Sequence, residues 1–344
     1  MSVHGGHIAY AFTLSLLSVF VLVLVIALFF LCRKKRVHNQ CGDACSDIRI
    51  SARIFSLSEI DVATDGFNPR RIIGKGRLGT TYVGVLDKGE VVAVKRIHPW
   101  LVLSKAGLGL GFQSMIRSLA LAQNPHIVPI IGFSEAPGER IILMEYVGTM
   151  SLEFYLHQHV DGPSILGWVR RLNIAVGVAR GLDYLHEKTA PQVVHGCIKP
   201  SNVLIDVKFN ARVCDFGLSF LASQQEKMGI IGYVDEEYWE KERKGGIGAC
   251  KESDVYGFGV VLLELLSGRS NEEGLLVEWA LPLVKEMKFT EFLDPRLPLP
   301  SNMKPLSRLA KVASACVGNS RKTRPKISEI VEILNSLLEI DLRL

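Results

Sequence analysis

The sequence predicts one N-terminal transmembrane helix followed by a domain with an α+β fold. Two segments, residues 91–95 and 141–147, are nearly continuous apolar runs of the kind that form buried strands. Farther along, residues 172–186 space their apolar side chains as a core helix does. With 344 residues, of which 48% are hydrophobic, the chain can build one large domain or two lobes around an ample core.

The predicted membrane segment is residues 8–32, a run of 25 residues without a charged side chain. At ~1.5 Å per residue, such a helix spans about 37 Å, enough to cross a bilayer with some tilt. A cleaved signal peptide or a buried helix is the alternative, but a signal peptide carries its positive charges before the apolar run. Here four basic residues, 33–36, follow it. We therefore predict a short extracytoplasmic tail, 1–7, and a basic juxtamembrane segment and linker, 33–71.

Charge and cysteine content narrow the class of protein. Much of the formal net charge of +5 comes from residues 33–36, so a nucleic-acid-binding surface is not indicated and we expect no nucleic-acid partner. The seven cysteines fit neither a zinc site nor a disulfide framework. Cys32, Cys41 and Cys45 would lie near the membrane, as palmitoylation sites or as free thiols.

A glycine-rich motif, with Gly74, Gly76 and Gly79 at Gly-x-Gly-x-x-Gly spacing, precedes the first strand-like run. By itself this motif fits a dinucleotide-binding fold or an ordinary turn equally well. Sixteen residues after Gly79, however, the run 91–95 ends in Lys95. Glycines that let backbone amides approach phosphates, followed by a strand-borne lysine, favour a nucleotide site.

The stretch 194–202 and the Asp-Phe-Gly at 215–217 resemble the catalytic loop and the metal loop of a protein kinase. That loop normally reads His-Arg-Asp-x-Lys-x-x-x-Asn, and its Asp accepts the proton of the substrate hydroxyl. Here Gly196 replaces the Arg and Cys197 replaces the Asp. No Asp or Glu occurs in residues 188–205, so no neighbour can substitute. The sequence therefore predicts a kinase fold without its catalytic base.

The resemblance extends over residues 55–338 and is to the plant receptor-like kinases. Residues 55–67, with Ser58 as the expected N-cap of a short helix, resemble the segment that precedes the domain in that family. Residues 275–283 and 292–295 are most similar to Crinkly-type members. The resemblance implies a bilobal protein kinase fold over 72–338, with a five-stranded N-lobe (72–146) that has one main helix and a mostly helical C-lobe (147–338).

The resemblance also implies a site for ATP and Mg²⁺. Lys95 would reach the α- and β-phosphates, Lys199 the terminal phosphate, and Met144 would stand beside the adenine pocket. Asn202 and Asp215 match the family's two metal ligands. The nucleotide-binding residues that the family pattern gives are Gly74, Gly76, Gly79, Ala93, Lys95, Met144, Glu145, Val147, Lys199 and Leu204.

One expected partner of Lys95 is missing. Active kinases pair this lysine with a helix glutamate, and the family pattern places Met115 at that position. No Asp or Glu occurs between Lys95 and Glu135, and Gln113 is only a neutral candidate. We interpret Met115 as a core residue facing the lobe interface. Lys95 is then left to a phosphate, Asp215 or solvent.

The activation segment lacks the threonine of the family motif. The family motif Gly-Thr-x-Gly-Tyr-x-Ala-Pro-Glu appears here as residues 229–237, with Ile230 in place of the Thr. No threonine occurs in residues 215–237, and Gly196 replaces the arginine that would bind a phosphate on this segment. Control by phosphorylation of this segment therefore has little physical basis.

The scaffold positions are kept. The resemblance implies that His195, Phe216 and Gly217 are structural, that Asp254 braces the catalytic-loop backbone, and that Glu237 and Arg324 form a buried pair. His195 is thus expected to be packed rather than catalytic. Cys197 is open to two interpretations, an activated thiol near Lys199 or a small filler, and no base partner supports the first.

Three functions follow. The first is a membrane-anchored pseudokinase that serves as a scaffold or allosteric partner of an active kinase or receptor, with its kinase-like domain on the cytoplasmic side of the plasma membrane. The second is a slow serine/threonine kinase, because Lys95, Lys199, Asn202 and Asp215 survive. The third is an enzyme that depends on Cys197. ATP and Mg²⁺ are expected cofactors of the first two.

Overall fold

The computed structural model describes residues 52–104, 111–158, 164–221, 229–271 and 274–341. The predicted transmembrane helix, 8–32, and the basic residues 33–36 lie outside this range, as do Cys32, Cys41 and Cys45. Among the described residues, every helix is too short or too polar to cross a bilayer.

The N-terminal lobe is built on a six-stranded sheet, in the order β1-β5-β6-β4-β3-β2. All neighbouring strands are antiparallel except β1, which runs parallel to β5. The strands are β1 (Arg53–Ile54), β2 (Ile72–Lys75), β3 (Gly79–Val85), β4 (Val91–Ile97), β5 (Ile130–Ala136) and β6 (Glu139–Glu145).

The five strands expected over 72–146 are β2 to β6, and the chain before the domain adds a sixth, β1. The Phe55 amide donates to the carbonyl of Phe133 at 2.9 Å. Gly132 makes this approach possible: a Cβ there would lie 2.3 Å from the Arg53 carbonyl oxygen and 2.6 Å from the Phe55 ring. The segment 33–71 therefore contributes an ordered strand to the sheet.

Helix α1 (Leu57–Thr64) covers one face of the sheet. Ser56, not Ser58, caps it: its hydroxyl accepts from the Glu59 amide, and the Glu59 carboxylate accepts from the Ser56 amide at 2.7 Å. This reciprocal capping box fixes the start of the helix two residues earlier than predicted. A cluster of buried residues lies on this side of the lobe and comprises Phe55, Ile60, Val92, Val94, Ile141 and Leu143.

Helix α2 (Pro99–Ser104) and helix α3 (Phe112–Leu119) complete the N-lobe among the described residues. Phe112, Ile116 and Leu119 are buried, at the i, i+4, i+7 spacing of one helix face. Met115 is 41% exposed, so the interpretation of it as a core residue is wrong. At i+3 from Phe112 it lies at the edge of this buried face, where its side chain reaches solvent.

The C-terminal lobe is mostly helical. It contains a two-stranded sheet, β7 (Val203–Ile205) with β8 (Ala211–Val213). Its α-helices, as far as the structure describes the lobe, are α4 (Trp168–Asp183), α5 (Glu236–Arg243), α6 (Lys251–Ser267), α7 (Leu276–Lys285), α8 (Phe289–Phe292), α9 (Lys304–Cys316) and α10 (Ile327–Asp341).

Helix α6 is the centre of this lobe, buried along almost its whole length. It contacts α9 closely at Gly259, where a Cβ would lie 2.6 Å from the Cβ of Cys316. The β7–β8 hairpin joins the lobes, because the Val128 amide donates to the carbonyl of Val213 and the Val213 amide to that of His126, both at 2.9 Å. The chain after β8 therefore starts beside the N-lobe, which places residue 215 near β4.

Candidate active site

Lys95 and Asp215 form an ion pair across the cleft between the lobes. Side chains alternate along β4, so Lys95 points away from the face covered by α1, on which Val92 and Val94 lie. The side chains of Lys95 and Asp215 are only 7% and 15% exposed. Of the three partners left open for Lys95, the structure assigns Asp215.

The glycine motif forms the turn between β2 and β3. The Gly76 amide donates to the carbonyl of Gly79 at 3.0 Å, which closes the turn. A Cβ on Gly79 would lie 2.1 Å from the Arg96 carbonyl oxygen, so the strand contact itself requires this glycine. A Cβ on Gly74 would meet nothing within 4 Å, so no protein contact accounts for that glycine.

The predicted adenine wall is assembled from both lobes. Ala93 and Met144 pair directly between β4 and β6, and both are buried. Val147 and Leu204 are half-buried against the main core. The Glu145 carboxylate accepts from Arg212 Nη2 at 2.8 Å, and that hydrogen bond lowers the pKa of Glu145.

His195 is buried and holds the catalytic loop from inside. Its Nδ1 accepts from the Cys197 amide at 3.2 Å, and its Nε2 lies 3.0 Å from the Cys214 carbonyl oxygen, so Nε2 carries the hydrogen. Burial lowers the pKa of His195, which keeps the imidazole neutral. The ring is therefore a structural bridge between the two loops.

Asp254, on α6, braces the same loop. Its carboxylate accepts from the amides of His195 and Gly196, at 2.7 and 2.8 Å, and lies 2.8 Å from Nε2 of His186. Three donors satisfy this carboxylate, although it is almost completely buried. Gly196 adopts φ = +82°, a conformation that suits glycine.

The position of the missing base is apolar. Cys197 packs against three buried residues of the activation segment and α5. We call this cluster, with the partly buried residues around it, the apolar plug; it comprises Cys197, Ile230, Val234, Tyr238, Trp239 and Ala249. Burial raises the pKa of the Cys197 thiol, and the charges of Lys199 and Arg77 offset part of that rise. Cys197 is therefore a protonated filler, and the interpretation of it as an activated thiol finds no support in this geometry.

The remaining polar residues of the loop bind backbone. Lys199 Nζ donates to the Gly229 carbonyl oxygen at 2.9 Å, which ties the catalytic loop to the activation segment. Asn202 Nδ2 donates to the carbonyl of Cys197 at 2.9 Å. The carbonyl of Asn202 in turn accepts from the Cys214 amide at 2.9 Å.

Asn202 and Asp215 are the two residues that would hold Mg²⁺. Magnesium prefers oxygen ligands, and proteins usually offer it one or two carboxylates in addition to substrate phosphates. The only carboxylate of this pair already holds the Lys95 ammonium group. Within the described ranges, no cluster of three or more His, Cys, Asp and Glu side chains could hold a metal ion. The donor set therefore fits a divalent cation poorly.

Phe216 and Gly217 directly follow Asp215 and pack into the protein interior. Phe216 is fully buried, and the Gly217 amide donates to the carbonyl of His195 at 3.1 Å. A Cβ on Gly217 would lie 2.5 Å from Cδ2 of Leu119, on α3. The glycine therefore lets the loop after Asp215 approach α3 closely.

The expected pair of Glu237 with Arg324 does not form. Arg324 instead donates to Asp235, which also accepts from Arg321 Nε at 2.7 Å. Asp235 caps α5, accepting from the Tyr238 amide at 2.9 Å, and its position before the helix turns it inward. The Glu237 side chain, in the first turn, is 46% exposed. An acidic residue just ahead of a helix was the available sequence signal for Asp235.

A second buried network was missed altogether. Glu264, on α6, accepts from the Tyr233 hydroxyl at 2.6 Å and lies 2.5 Å from Nε2 of His157. Burial raises the pKa of Glu264. The network anchors the activation segment to the central helix. His157 precedes Tyr233 by 76 residues and Glu264 follows it by 31, so no local sequence pattern connects the three.

The sequence pattern of the family described as protein tyrosine and serine/threonine kinase matches residues 67–334. The chain belongs to this kinase family. Among plant relatives, the receptor-like kinase PERK1 of Arabidopsis thaliana, a proline-rich receptor-like protein kinase, is 36% identical over 304 residues, which are 83% of this chain and 44% of that protein. PERK3 of the same species is 34% identical, over 92% of this chain and 63% of the relative.

A solved structure described as the pseudokinase domain of BIR2, an immune regulator of the RLK/Pelle family, is also similar to this kinase-family chain. The two share 31% identity with a TM-score of 0.70, over 83% of this chain and 86% of that one. The bilobal fold and the receptor-like kinase family are thus established, although the chain spans less than two thirds of the curated relatives it matches. The Crinkly-type placement stays a prediction.

Proposed function

We propose that this protein is a catalytically impaired receptor-like kinase that acts as a membrane-anchored scaffold or allosteric partner of an active kinase. The apolar plug is the observation that carries the proposal. A thiol with a raised pKa, packed against Ile230, stands where a carboxylate must accept a proton. Loss of a proton-transfer group commonly lowers the rate by about 10² to 10⁴.

The ion pair between Lys95 and Asp215 supports the same conclusion. In active members of the family, the lysine is held by a helix glutamate and the aspartate by metal. Here Lys95 and Asp215 form an ion pair with each other, and Met115 on α3 is an exposed, uncharged side chain. Phosphate alignment and metal binding are therefore impaired together with proton transfer. Similarity to a domain that is itself described as a pseudokinase favours this assignment.

A slow serine/threonine kinase is the second candidate. Phosphoryl transfer proceeds through a loose transition state in which positioning matters more than proton removal. Lys95, Lys199, Asn202 and Asp215 are all present, and the curated relatives are named as protein kinases.

Phosphate transfer from ATP labelled at the γ position, catalysed by the purified full chain, separates the two functions. A scaffold gives no transfer above that of a Lys95→Met and Asp215→Asn double variant. A slow kinase gives transfer that survives Cys197→Ala and disappears in the double variant. Robust turnover by the unchanged protein would overturn the scaffold proposal.

Membrane anchoring is proposed from residues 8–32 and from the basic residues 33–36 that follow them. Deletion of residues 8–32 is expected to release the protein from the membrane fraction. Retention of the deleted protein in that fraction would contradict the anchor. An active kinase that co-purifies with the full chain would supply the proposed partner, and a chain without kinase partners would contradict that part of the proposal.

A further inference from the structure

The charge of the nucleotide cleft differs from what the family pattern predicts. That pattern places three acidic residues here: the base, the helix glutamate and the metal-binding aspartate. In this chain Cys197 and Met115 replace the first two, and Asp215 remains. The catalytic loop adds none, because residues 188–205 contain no Asp or Glu.

The cations of the cleft are retained. Lys95 is buried against Asp215, and Lys199 lies in the catalytic loop with its Nζ on the Gly229 carbonyl. Arg77, in the glycine turn, lies close enough for its charge to act at the position of Cys197. A divalent cation bound to Asp215 would therefore meet the repulsion of the Lys95 ammonium group, which already holds this carboxylate.

A polyphosphate has the opposite preference. Its oxygens gain charge-assisted hydrogen bonds from ammonium and guanidinium groups and need no metal to offset their charge. We propose that the cleft binds a nucleoside triphosphate without a divalent cation, with Lys95 and Lys199 as its counter-charges. This inference goes beyond the proposed scaffold function, which assigns the cleft no ligand.

The proposal gives Asp215 a role opposite to its role in an active kinase. There the aspartate recruits the metal, and its loss weakens nucleotide binding. Here Asp215 competes with phosphate for Lys95 and repels the phosphate charge. Asp215→Asn therefore frees the ammonium group and keeps the side-chain volume. The same substitution thus gives opposite results in the two kinds of site.

Equilibrium dialysis of the purified full chain with labelled ATP, in EDTA and in Mg²⁺, tests this. We expect binding in EDTA, with a Kd that changes less than about threefold on addition of Mg²⁺. Asp215→Asn should tighten binding in EDTA by about tenfold, and Lys95→Met should weaken it by about tenfold, because each alters one charge-assisted contact. Asp87→Asn and Lys88→Met, both exposed in the turn between β3 and β4, are the matched controls and should change nothing.

Each unliganded variant is also melted, so that a loss of binding through unfolding is recognised; in that case Lys95→Gln and Asp215→Ala replace the failed variants. Binding that requires Mg²⁺, binding that Asp215→Asn abolishes, or equal affinity for adenosine and ATP would overturn the inference. Failure to bind ATP under both conditions would also overturn it, and would leave the scaffold function intact. Rapid phosphate transfer would instead overturn the scaffold.

Discussion

Arg321 donates two hydrogen bonds to Asp235, from Nε at 2.7 Å and from Nη2 at 2.5 Å. This bidentate pair joins the end of the activation segment to the turn before α10, and both side chains are buried. Arg324 adds a third contact to the same carboxylate. The fold thus contains a buried ionic joint, whereas Cys197 and Met115 stand at the positions of the catalytic base and the helix glutamate.

Asp235→Ala should destabilise the protein strongly. It leaves two buried guanidinium groups without their shared carboxylate, and breaking a buried pair typically costs about 3–5 kcal/mol. Denaturant unfolding of the full chain measures the change. Glu237→Ala is the control, since this half-exposed residue lies 3.9 Å from Arg321 Nε and should cost no more than about 1 kcal/mol. The reverse order would restore Glu237 as the structural acid.

Acid should weaken this joint in a predictable direction. Burial opposes the charge of Asp235, but hydrogen bonds and charges from Arg321 and Arg324 outweigh it and lower its pKa. A carboxylate whose pKa is lowered by folding contributes its full stabilisation when the pH is above the unfolded-state pKa of about 3.9. This contribution is lost as the pH falls through the lowered pKa of the folded state. The difference in unfolding free energy between the unchanged protein and Asp235→Asn should therefore shrink below about pH 4. A difference that stays constant down to pH 2 would contradict this.

Restoring the catalytic aspartate should not restore a kinase. Cys197→Asp places a carboxylate in the apolar plug, where its burial costs about 1–3 kcal/mol or more unless a hydrogen-bond donor compensates it. Adding Ile230→Thr supplies a hydroxyl beside it. The double variant should therefore lose less unfolding free energy than the sum of the losses in the two single variants. Unfolding measurements on all four proteins give this coupling. Full turnover in Cys197→Asp alone would show that the plug is not an obstacle.

Gly196 should resist replacement by alanine. Its φ of +82° disfavours other residues, and a Cβ there would lie 2.8 Å from both Cβ and Oγ of Ser219. Gly196→Ala should therefore cost more than the ~1 kcal/mol of left-handed backbone alone. Gly138→Ala, at φ = +74° with nothing within 4 Å, is the control for that backbone cost. Equal losses in the two variants would exclude a steric role for Ser219.

These contrasts show which parts of the site the sequence could predict. The absence of a base and of a helix acid is a property of composition, so Cys197 and the gap between Lys95 and Glu135 indicated it directly. The choice of Asp215 as partner of Lys95 depends on where the β7–β8 hairpin delivers the chain. No local pattern encodes that position.

The wrong predictions have equally local reasons. Glu237 matches the family pattern, but the point at which α5 begins decides which carboxylate turns inward, and that makes Asp235 the partner. The exposure of Met115 was not predictable from the spacing, since Met115 is at i+3 from Phe112 and lies at the edge of the face that Phe112, Ile116 and Leu119 define. Strand β1, with two residues, is too short to produce a periodic signal.

Strand β1 also determines how the protein can be shortened. The match to the family pattern begins at residue 67, so a chain cut there would lack β1, Phe55 and α1. The outer edge of β5 would then present unpaired backbone groups, and Val92 and Val94 would lose their cover. Open edges beside bare apolar faces invite sheet-to-sheet aggregation. A soluble fragment should therefore begin before Arg53, whatever the family boundary indicates.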